Sequence, residues 1–227
     1  MQRQELRLQD QHSHPADQPH LYSFRIRMPA IIEDRTNSIR WVTAQWKQEP
    51  ISEAYQRQFG DTWAPSPFLA QRFDDGVLHV TVQDKHCRCK IASAPNPDGS
   101  NVVWADGRAR YCASTKPDDT ENSSCTPDLD LKYGSNPVLP IALGQWVEMR
   151  YRVQASRSGA AVIEVYVGDR FIVRVTGKIG YEPRPDERSK TKFKIGHYRD
   201  YVPFAHAMEI DWLRIEPLSD ARHSDLK

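Results

Sequence analysis

The sequence predicts an all-β fold in which two antiparallel sheets pack as a sandwich or jelly roll. Short segments with an apolar residue at every second position recur along the chain, and 16 Pro and 11 Gly interrupt them. Hydrophobic residues make up 39% of the 227 positions and include six Trp and nine Tyr, which excludes a fully disordered chain. A chain of this length suits one hydrophobic core, so we expect a single domain over residues 1–227.

The predicted strands follow the period-two pattern and the turn residues that end each segment. In chain order they cover residues 3–8, 22–28, 39–47, 77–82, 144–153, 163–167, 171–175, 192–199 and 207–215. Pro29 ends the second of these strands, and Gly168-Asp169 turns the chain between the sixth and the seventh. We expect a short helix over residues 51–59 and a long loop over residues 94–136, which are rich in Pro, Asp, Ser, Thr and Asn.

The charges of the chain nearly cancel. Lys and Arg total 31 and Asp and Glu total 30, which gives a formal net charge of +1, so bulk attraction to nucleic acid or to an anionic membrane is not indicated. No apolar run approaches the roughly 20 residues that a membrane span needs, and no signal sequence is visible at the start. We therefore expect neither a nucleic acid nor a membrane as partner, and any site for a polyanion has to be local.

Four cysteines allow three full pairings if they are oxidised: Cys87, Cys89, Cys112 and Cys125. Their spacing is not that of a zinc site, so we expect at least one disulfide and leave its pairing open. We expect that no metal or other cofactor is required. Two acidic pairs, Asp74-Asp75 and Asp118-Asp119, could hold a structural calcium ion, although turns are the favoured interpretation of both.

Three of the predicted strands carry unusually polar faces. Period two places Arg3, Glu5 and Arg7 on one face of the first strand, and it groups Gln45 with Lys47. In the strand over residues 192–199, it groups Lys192 and Lys194 with Tyr198 and turns Phe193 and Ile195 toward the core. Arginine, amide, amine and phenol groups on one sheet face would suit an anionic chain. On periodicity alone, solvated strand faces remain the alternative.

The same three strands resemble the motif strands of β-jelly-roll polysaccharide lyases. Arg3-Gln4-Glu5-Leu6-Arg7 is similar to the R-x-E-L-R strand of alginate lyases, and Ala44-Gln45-Trp46-Lys47 is similar to their Q-x-H strand and to the Q-W-H of heparin-lyase-like proteins. The segment from Lys192 to Tyr198 is similar to F-K-x-G-x-Y. The later half also resembles the heparin-lyase and glucuronan-lyase group in residues 143–146, 167–169 and 195–200. The resemblance covers nearly the whole chain.

This resemblance implies a concave substrate groove and β-elimination of a uronic-acid polysaccharide. In that reaction the C5 proton is removed, the C4 glycosidic oxygen leaves, and an unsaturated uronate results without addition of water. The implied partner is an anionic polysaccharide. The implied enzyme is secreted or periplasmic and acts as a monomer.

The resemblance also assigns roles by motif position. Arg3 and Gln45 would neutralise the substrate carboxylate, and Tyr198 would be the catalytic phenol. Lys194, which shares a face with Tyr198, would hold the substrate and favour the phenolate. The further substrate-binding residues are Arg7, Lys47, Lys192, His86 and Arg199.

One departure from the family pattern bears on the mechanism. These families often carry His as the base where this chain has Lys47, and a lysine is a poor base at neutral pH unless it is desolvated or lies beside other cations. Either another residue is the base or Tyr198 acts as both base and acid. Tyr198 can do both only where the C5 hydrogen and the C4 oxygen lie on the same side of the ring, as in gluco- and manno-configured uronates. We therefore expect β-1,4-glucuronan as substrate, ahead of alginate rich in mannuronate and of heparin-type chains.

Other histidines and other functions remain open at this point. His12, His14 and His86 are candidate bases, while His197 should point toward the core because it alternates with Tyr198. A noncatalytic carbohydrate-binding jelly roll is the main alternative. A hydrolase is less favoured, since only Glu209-Ile210-Asp211 approaches the paired carboxylates that it needs.

Overall fold

The computed structural model describes residues 2–8, 13–31, 40–50, 66–84, 87–95, 111–114, 128–181 and 189–218. These residues form strands and connecting turns, with no helix among them. The strands are β1 (Gln2–Arg7), β2 (His14–Pro15), β3 (His20–Arg27), β4 (Trp41–Pro50), β5 (Leu69–Asp74), β6 (Val77–Gln83), β7 (Cys87–Ser93), β8 (Tyr111–Ser114), β9 (Leu129–Tyr133), β10 (Trp146–Gln154), β11 (Ser156–Val167), β12 (Arg170–Ile179), β13 (Ser189–Arg199) and β14 (Glu209–Pro217).

The strands form two antiparallel sheets. The larger sheet has eight strands in the order β1-β13-β4-β5-β6-β7-β8, with β2 also paired to β13. The smaller sheet has six strands in the order β14-β3-β10-β11-β12-β9. The prediction of an all-β, two-sheet jelly roll is confirmed. We call the side of the larger sheet that faces away from the smaller sheet its outer face.

The hydrophobic core fills the space between the two sheets and is rich in aromatic rings. Trp46 lies at its centre, with ring centroids 5.4 Å from Tyr22, 4.7 Å from Tyr151 and 4.8 Å from Phe193. Phe193 and Ile195 are buried in the core, as their alternation in the sequence predicts. Burial of these apolar surfaces holds the sheets together and fixes which side of β13 faces outward.

The structure contains strands that the sequence pattern does not reveal. β5 escapes prediction because Gln71 occupies a core position, where its amide accepts a hydrogen bond from the Tyr151 hydroxyl at 2.7 Å and donates one to Thr43 at 3.0 Å. β8 and β9 lie within residues 94–136, which we expected to be a loop. The expected helix over residues 51–59 lies outside the described residues.

Two β-bulges lie side by side in the larger sheet. In β4, Val42 pairs with Arg72 while Ala44 pairs with Gln71, so one extra residue sits between them. A bulge in β13 lies between Ile195 and Tyr198. A bulge resets the alternation of side chains, and for this reason Trp41 and Trp46 both lie in the core, although strict period two predicts them on opposite faces.

Three smaller expectations concern cysteine, calcium and the membrane. Cys89 and Cys112 form a disulfide between β7 and β8, which confirms that at least one disulfide is present. Asp75 and Gly76 have φ angles of 54° and 81° and form the tight turn from β5 to β6, as expected, while residues 118–119 lie outside the described residues. In the described part of the chain, no three His, Cys, Asp or Glu side chains group as metal ligands would. That part also holds no helix suited to cross a membrane.

Candidate active site

The ring of Tyr198 is flanked by two guanidinium groups on the outer face of the larger sheet. Tyr198 of β13 pairs in register with Arg3 of β1, and the Arg3 guanidinium carbon lies 5.3 Å from the ring centroid. The Arg40 guanidinium carbon lies 5.6 Å from the same centroid, and Asp200 holds this arginine through an ion pair of 2.9 Å. The structure therefore brings Arg3 and Tyr198 together, as expected, and adds Arg40, to which the sequence analysis assigns no role.

Glu5 connects the two residues that the motifs assign to carboxylate neutralisation. Its carboxylate accepts a hydrogen bond from Arg3 Nε at 2.7 Å and a short one from Gln45 Nε2. Only 4% of the Glu5 side chain is exposed, and Gln45 is also buried. A buried carboxylate with two donors fixes both partners in one geometry. The second Nε2 hydrogen of Gln45 and the terminal nitrogens of Arg3 have no other hydrogen bond among the described residues.

The position of β1 beside Tyr198 depends on Gly196. This residue pairs with Glu5 and has a φ of 137°, which side-chain-bearing residues rarely adopt. A Cβ added there would lie 2.5 Å from the Gln4 carbonyl oxygen of the neighbouring strand. Glycine therefore allows β1 to approach β13 closely enough for Arg3 to reach the ring of Tyr198.

Two lysines extend the positive charge along β13 and β4. Lys194 is buried on the outer face and pairs in register with Gln45 on one side and with Arg7 on the other. Lys47 is half-buried, and burial lowers the pKa of its amine. Glu49 and Glu5 raise that pKa, whereas Arg3 and Lys192 lower it further, and the net direction is downward. Lys47 is therefore both desolvated and close to other cations, which are the two conditions that make a lysine less basic.

Lys192 lies on the outer face with its side chain almost fully buried. Its ammonium forms an ion pair of 2.9 Å with Glu49, and only 2% of its side chain is exposed. Direct substrate contact by Lys192 stays a prediction, and its ammonium is already bound by the carboxylate of Glu49. Lys192 contributes positive charge beneath Lys47, with which it pairs in register.

Arg199 lies on the opposite side of β13 from Tyr198. Its guanidinium donates to Gln2 at 2.7 Å and to the Phe204 carbonyl at 3.1 Å, and it covers the ring of Trp41 at 5.0 Å. It lines a cleft of about 490 Å³ together with Arg3, His197 and His206. Substrate binding by Arg199 stays a prediction, and its side chain lies on the other side of β13 from Tyr198 because adjacent residues of a strand face opposite ways.

The histidines are placed as follows. His197 faces the core, as expected, and stacks on Trp41 with centroids 4.9 Å apart. His14 contacts His20 and bonds to the hydroxyl of Tyr22, a core residue. His12 and His86 lie outside the described residues, as does the side chain of Arg7.

A second polar group on the outer face was not found from the sequence. It consists of Arg72, Asp74, His79 and Lys90 on β5, β6 and β7. Arg72 Nε donates to Asp74 at 2.8 Å, and His79 Nε2 lies 3.5 Å from the same carboxylate oxygen. Burial, partly opposed by Asp74, lowers the pKa of His79 to about 4, so this histidine is neutral at pH 7. Alternation in residues 77–82 is the signal that could have placed His79 on this face.

The comparisons with known proteins concern nearly the whole chain. Residues 1–214 match the family model described as polysaccharide lyase. The fold is similar to that of an endo-β-1,4-glucuronan lyase from the fungus Trichoderma reesei, with 10% sequence identity and a TM-score of 0.54 over 94% of this chain and 74% of that one. A marine PL7 alginate lyase from Zobellia galactanivorans is similar with 10% identity and a TM-score of 0.44, over 91% of this chain and 65% of that one. No curated protein sequence matches the chain.

Proposed function

The chain belongs to the polysaccharide lyase family, and on that premise we propose that it cleaves β-1,4-glucuronan by β-elimination, with Tyr198 as acid and base. The observation that carries the proposal is the contact of Arg3 with the ring of Tyr198, together with the Glu5 carboxylate that joins Arg3 to Gln45. A phenol, two carboxylate donors and positive charge lie on one sheet face, which is the set of groups that this elimination needs.

Arg3 and Gln45 act on the carboxylate of the sugar that is cleaved. The C5 hydrogen of a uronate is a weak acid until the charge of the neighbouring carboxylate is compensated. The free Nε2 hydrogen of Gln45 and the terminal nitrogens of Arg3 donate to that carboxylate and stabilise the negative charge that develops on it. Glu5 acts as a positioning residue, since it holds both donors in place.

Tyr198 moves one proton over a short distance. In its phenolate form it takes the C5 proton, the C4–O bond breaks, and a double bond forms between C4 and C5. The phenol then gives the proton to the leaving O4, so the phenolate is regenerated and no water is consumed. Arg3 and Arg40 place two positive charges against the ring, where they stabilise negative charge during the transfer.

This route requires that the C5 hydrogen and the O4 atom lie on the same side of the sugar ring. Glucuronate and mannuronate meet the requirement, whereas guluronate does not. The architecture shared with a glucuronan lyase supports the choice of glucuronan over mannuronate. Lys47 and Lys194 bind the acidic chain beside the cleaved residue. The Cys89–Cys112 disulfide supports a secreted or periplasmic location.

The test is the ultraviolet absorbance of the new C4–C5 double bond, with glucuronan, polymannuronate, polyguluronate, hyaluronan and heparan sulfate as substrates. We expect turnover on glucuronan and a loss of roughly a thousandfold in kcat for Tyr198→Phe, with affinity for the polymer retained. Tyr201→Phe is the matched control, because it removes the hydroxyl of an exposed tyrosine three residues away.

Each other outcome would overturn a stated part of the proposal. Turnover on polymannuronate but not on glucuronan would change the substrate and keep the mechanism. Turnover only on polyguluronate would contradict a single tyrosine acting as acid and base. Binding of glucuronan without any product would identify a carbohydrate-binding protein instead of an active lyase.

A further inference from the structure

We propose that Arg72 and Lys90 form a second carboxylate-binding subsite, which holds an acidic sugar residue some distance along the chain from the bond that is cleaved. The proposal rests on the proposed function in one respect: the ligand is a uronic-acid polymer that crosses the outer face of the larger sheet. The subsite adds to the catalytic group around Tyr198 and lies on the other side of β4 from it.

The register of the sheet places Arg72 in line with the catalytic group. Arg3 pairs with Tyr198, Tyr198 with Val42, and Val42 with Arg72, which in turn pairs with His79. These residues form one row across the strands. Neighbouring strands lie about 4.8 Å apart, so the backbone of Arg72 is roughly 10 Å from that of Tyr198. One strand spacing is close to the length of one sugar in a β-1,4-linked chain, so a polymer along this row brings a second uronate to Arg72.

Asp74 holds Arg72 through one edge of its guanidinium, and 11% of the Arg72 side chain is exposed. Asp74 accepts from Arg72 Nε at 2.8 Å, and the backbone N–H of Trp41 donates to the other oxygen of Asp74 at 2.6 Å. The two terminal nitrogens of Arg72 have no hydrogen bond or ion pair within the described part of the chain. Two parallel N–H groups of this kind match the two oxygens of a carboxylate.

Lys90 forms the other side of the subsite, on β7, two strands away from Arg72. In a second row across the strands, Gln45 pairs with Ala70. Ala70 pairs with Thr81, and Thr81 pairs with Lys90. Ala70 and Thr81, which lie between Gln45 and Lys90 in this row, both have short side chains. No carboxylate of the described residues forms an ion pair with Lys90. Burial is the main cause that lowers the pKa of its amine, Arg72 lowers it further, and Asp74 and Asp75 oppose them.

The charge of this region favours an anion over a neutral sugar. Arg72, Lys90 and Arg88 all lie on this part of the outer face, and Asp74 is the single described carboxylate paired to them. Arg88 is bound through Nε to the uncharged amide of Gln83 at 2.7 Å. Partly buried cations that lack full compensation are costly, and a uronate carboxylate would supply the missing charge.

The test compares Arg72→Gln and Lys90→Met with Lys132→Met, a control that removes an exposed lysine from β9 of the other sheet. Affinity gel electrophoresis with polyglucuronate, and with the same polymer after reduction of its carboxyl groups, measures binding independently of turnover. We expect each subsite variant to bind polyglucuronate roughly tenfold more weakly than wild type, while the control does not change. We expect no difference among the proteins with the reduced polymer.

Kinetics with oligomers of defined length separate this subsite from the catalytic group. We expect KM to rise for a hexamer, with little change in kcat, and no change for oligomers too short to reach Arg72. Equal binding by the variants and the control would overturn the subsite, as would an equal loss of kcat on short and long oligomers. If the wild type cleaves none of the polymers, the proposed function fails, and the electrophoresis still decides whether Arg72 and Lys90 bind carboxylates.

Discussion

Arg3 and Tyr198 face each other across the pairing of β1 with β13, with the guanidinium carbon 5.3 Å from the ring centroid. One residue lies at the start of the chain and the other near its end, and the antiparallel pairing of an edge strand brings them together. The proposed catalytic group therefore depends on a strand that has one neighbour among the described strands. The predictions below follow from this arrangement and from the charges around it.

Replacement of Arg3 should affect the chemical step more than binding. Arg3→Gln removes both the donors to the substrate carboxylate and the positive charge on the ring, and we expect kcat to fall roughly a hundredfold. Arg3→Lys keeps the charge but loses the planar fork, so an intermediate kcat is expected. Arg214→Gln, on the exposed face of β14, is the control and should match wild type. A rise in KM alone for Arg3→Gln would show that Arg3 binds substrate without assisting the reaction.

Gly196→Ala should separate β1 from β13. The φ of 137° and the close approach of the Gln4 carbonyl leave no room for a Cβ, so we expect a loss of about 2 kcal/mol in the free energy of unfolding. Urea unfolding gives this value, and kcat measured on the folded fraction should fall because Arg3 moves away from Tyr198. Gly168→Ala is a control with positive φ but open space around its Cβ. If both variants lose the same stability and Gly196→Ala keeps full kcat, the close approach is unimportant.

Lys47 should act as a binding cation whose charge is lost at a lower pH than that of an ordinary lysine. Because burial lowers its pKa, the amine loses its charge as the pH rises through a value below the usual lysine range. We expect KM for glucuronan to rise on the alkaline side for this reason. Lys47→Arg should move that rise to higher pH, and Lys47→Met should raise KM about tenfold at pH 7 with kcat nearly kept. A loss of kcat in Lys47→Met comparable to that in Tyr198→Phe would instead identify Lys47 as the base.

The fold should lose stability in mildly acidic solution because of two histidines. Burial lowers the pKa of His79 and of His197 to about 4, and for His197 the neighbours Arg199 and His206 act in the same direction. In the unfolded chain both titrate near the ordinary value of about 6.5. Between these values the unfolded state binds more protons, so stability is full above about pH 6.5 and declines as the pH falls toward 4.

Melting temperatures at pH 7.5 and 4.5 test this prediction. His79→Gln and His197→Gln should each show a smaller decrease than wild type, since glutamine can still donate to Val77 or accept from Met208. Lys132→Met, which removes a group that stays charged in this range, should decrease as wild type does. Equal decreases in all four proteins would mean that other groups control the acid sensitivity.

Local alternation in the sequence predicts which side chains of β13 face outward. It places Phe193 and Ile195 in the core and Lys194 and Tyr198 outward, and it turns His197 inward. The same rule places Arg199 beside His197, and the structure shows it there, so its assignment to the substrate side came from motif position against the alternation of the strand. These features depend on neighbouring residues within one strand, and for that reason they can be read from the sequence alone.

Tertiary structure decides which residues of different strands contact each other, and alternation within one strand cannot predict these contacts. The register that aligns Arg3, Tyr198 and Arg72 in one row joins strands distant in sequence, and adjacent bulges in β4 and β13 shift it by one residue. Glu49 lies near Lys192 only through the pairing of β4 with β13, and that contact binds the buried ammonium of Lys192. β5 could not be predicted from the sequence because the polar Gln71 occupies a core position, where it accepts a hydrogen bond from Tyr151 of the other sheet. The sequence by itself determined the fold class and which side chains share a face within a strand, whereas packing between strands and sheets decided which of them meet.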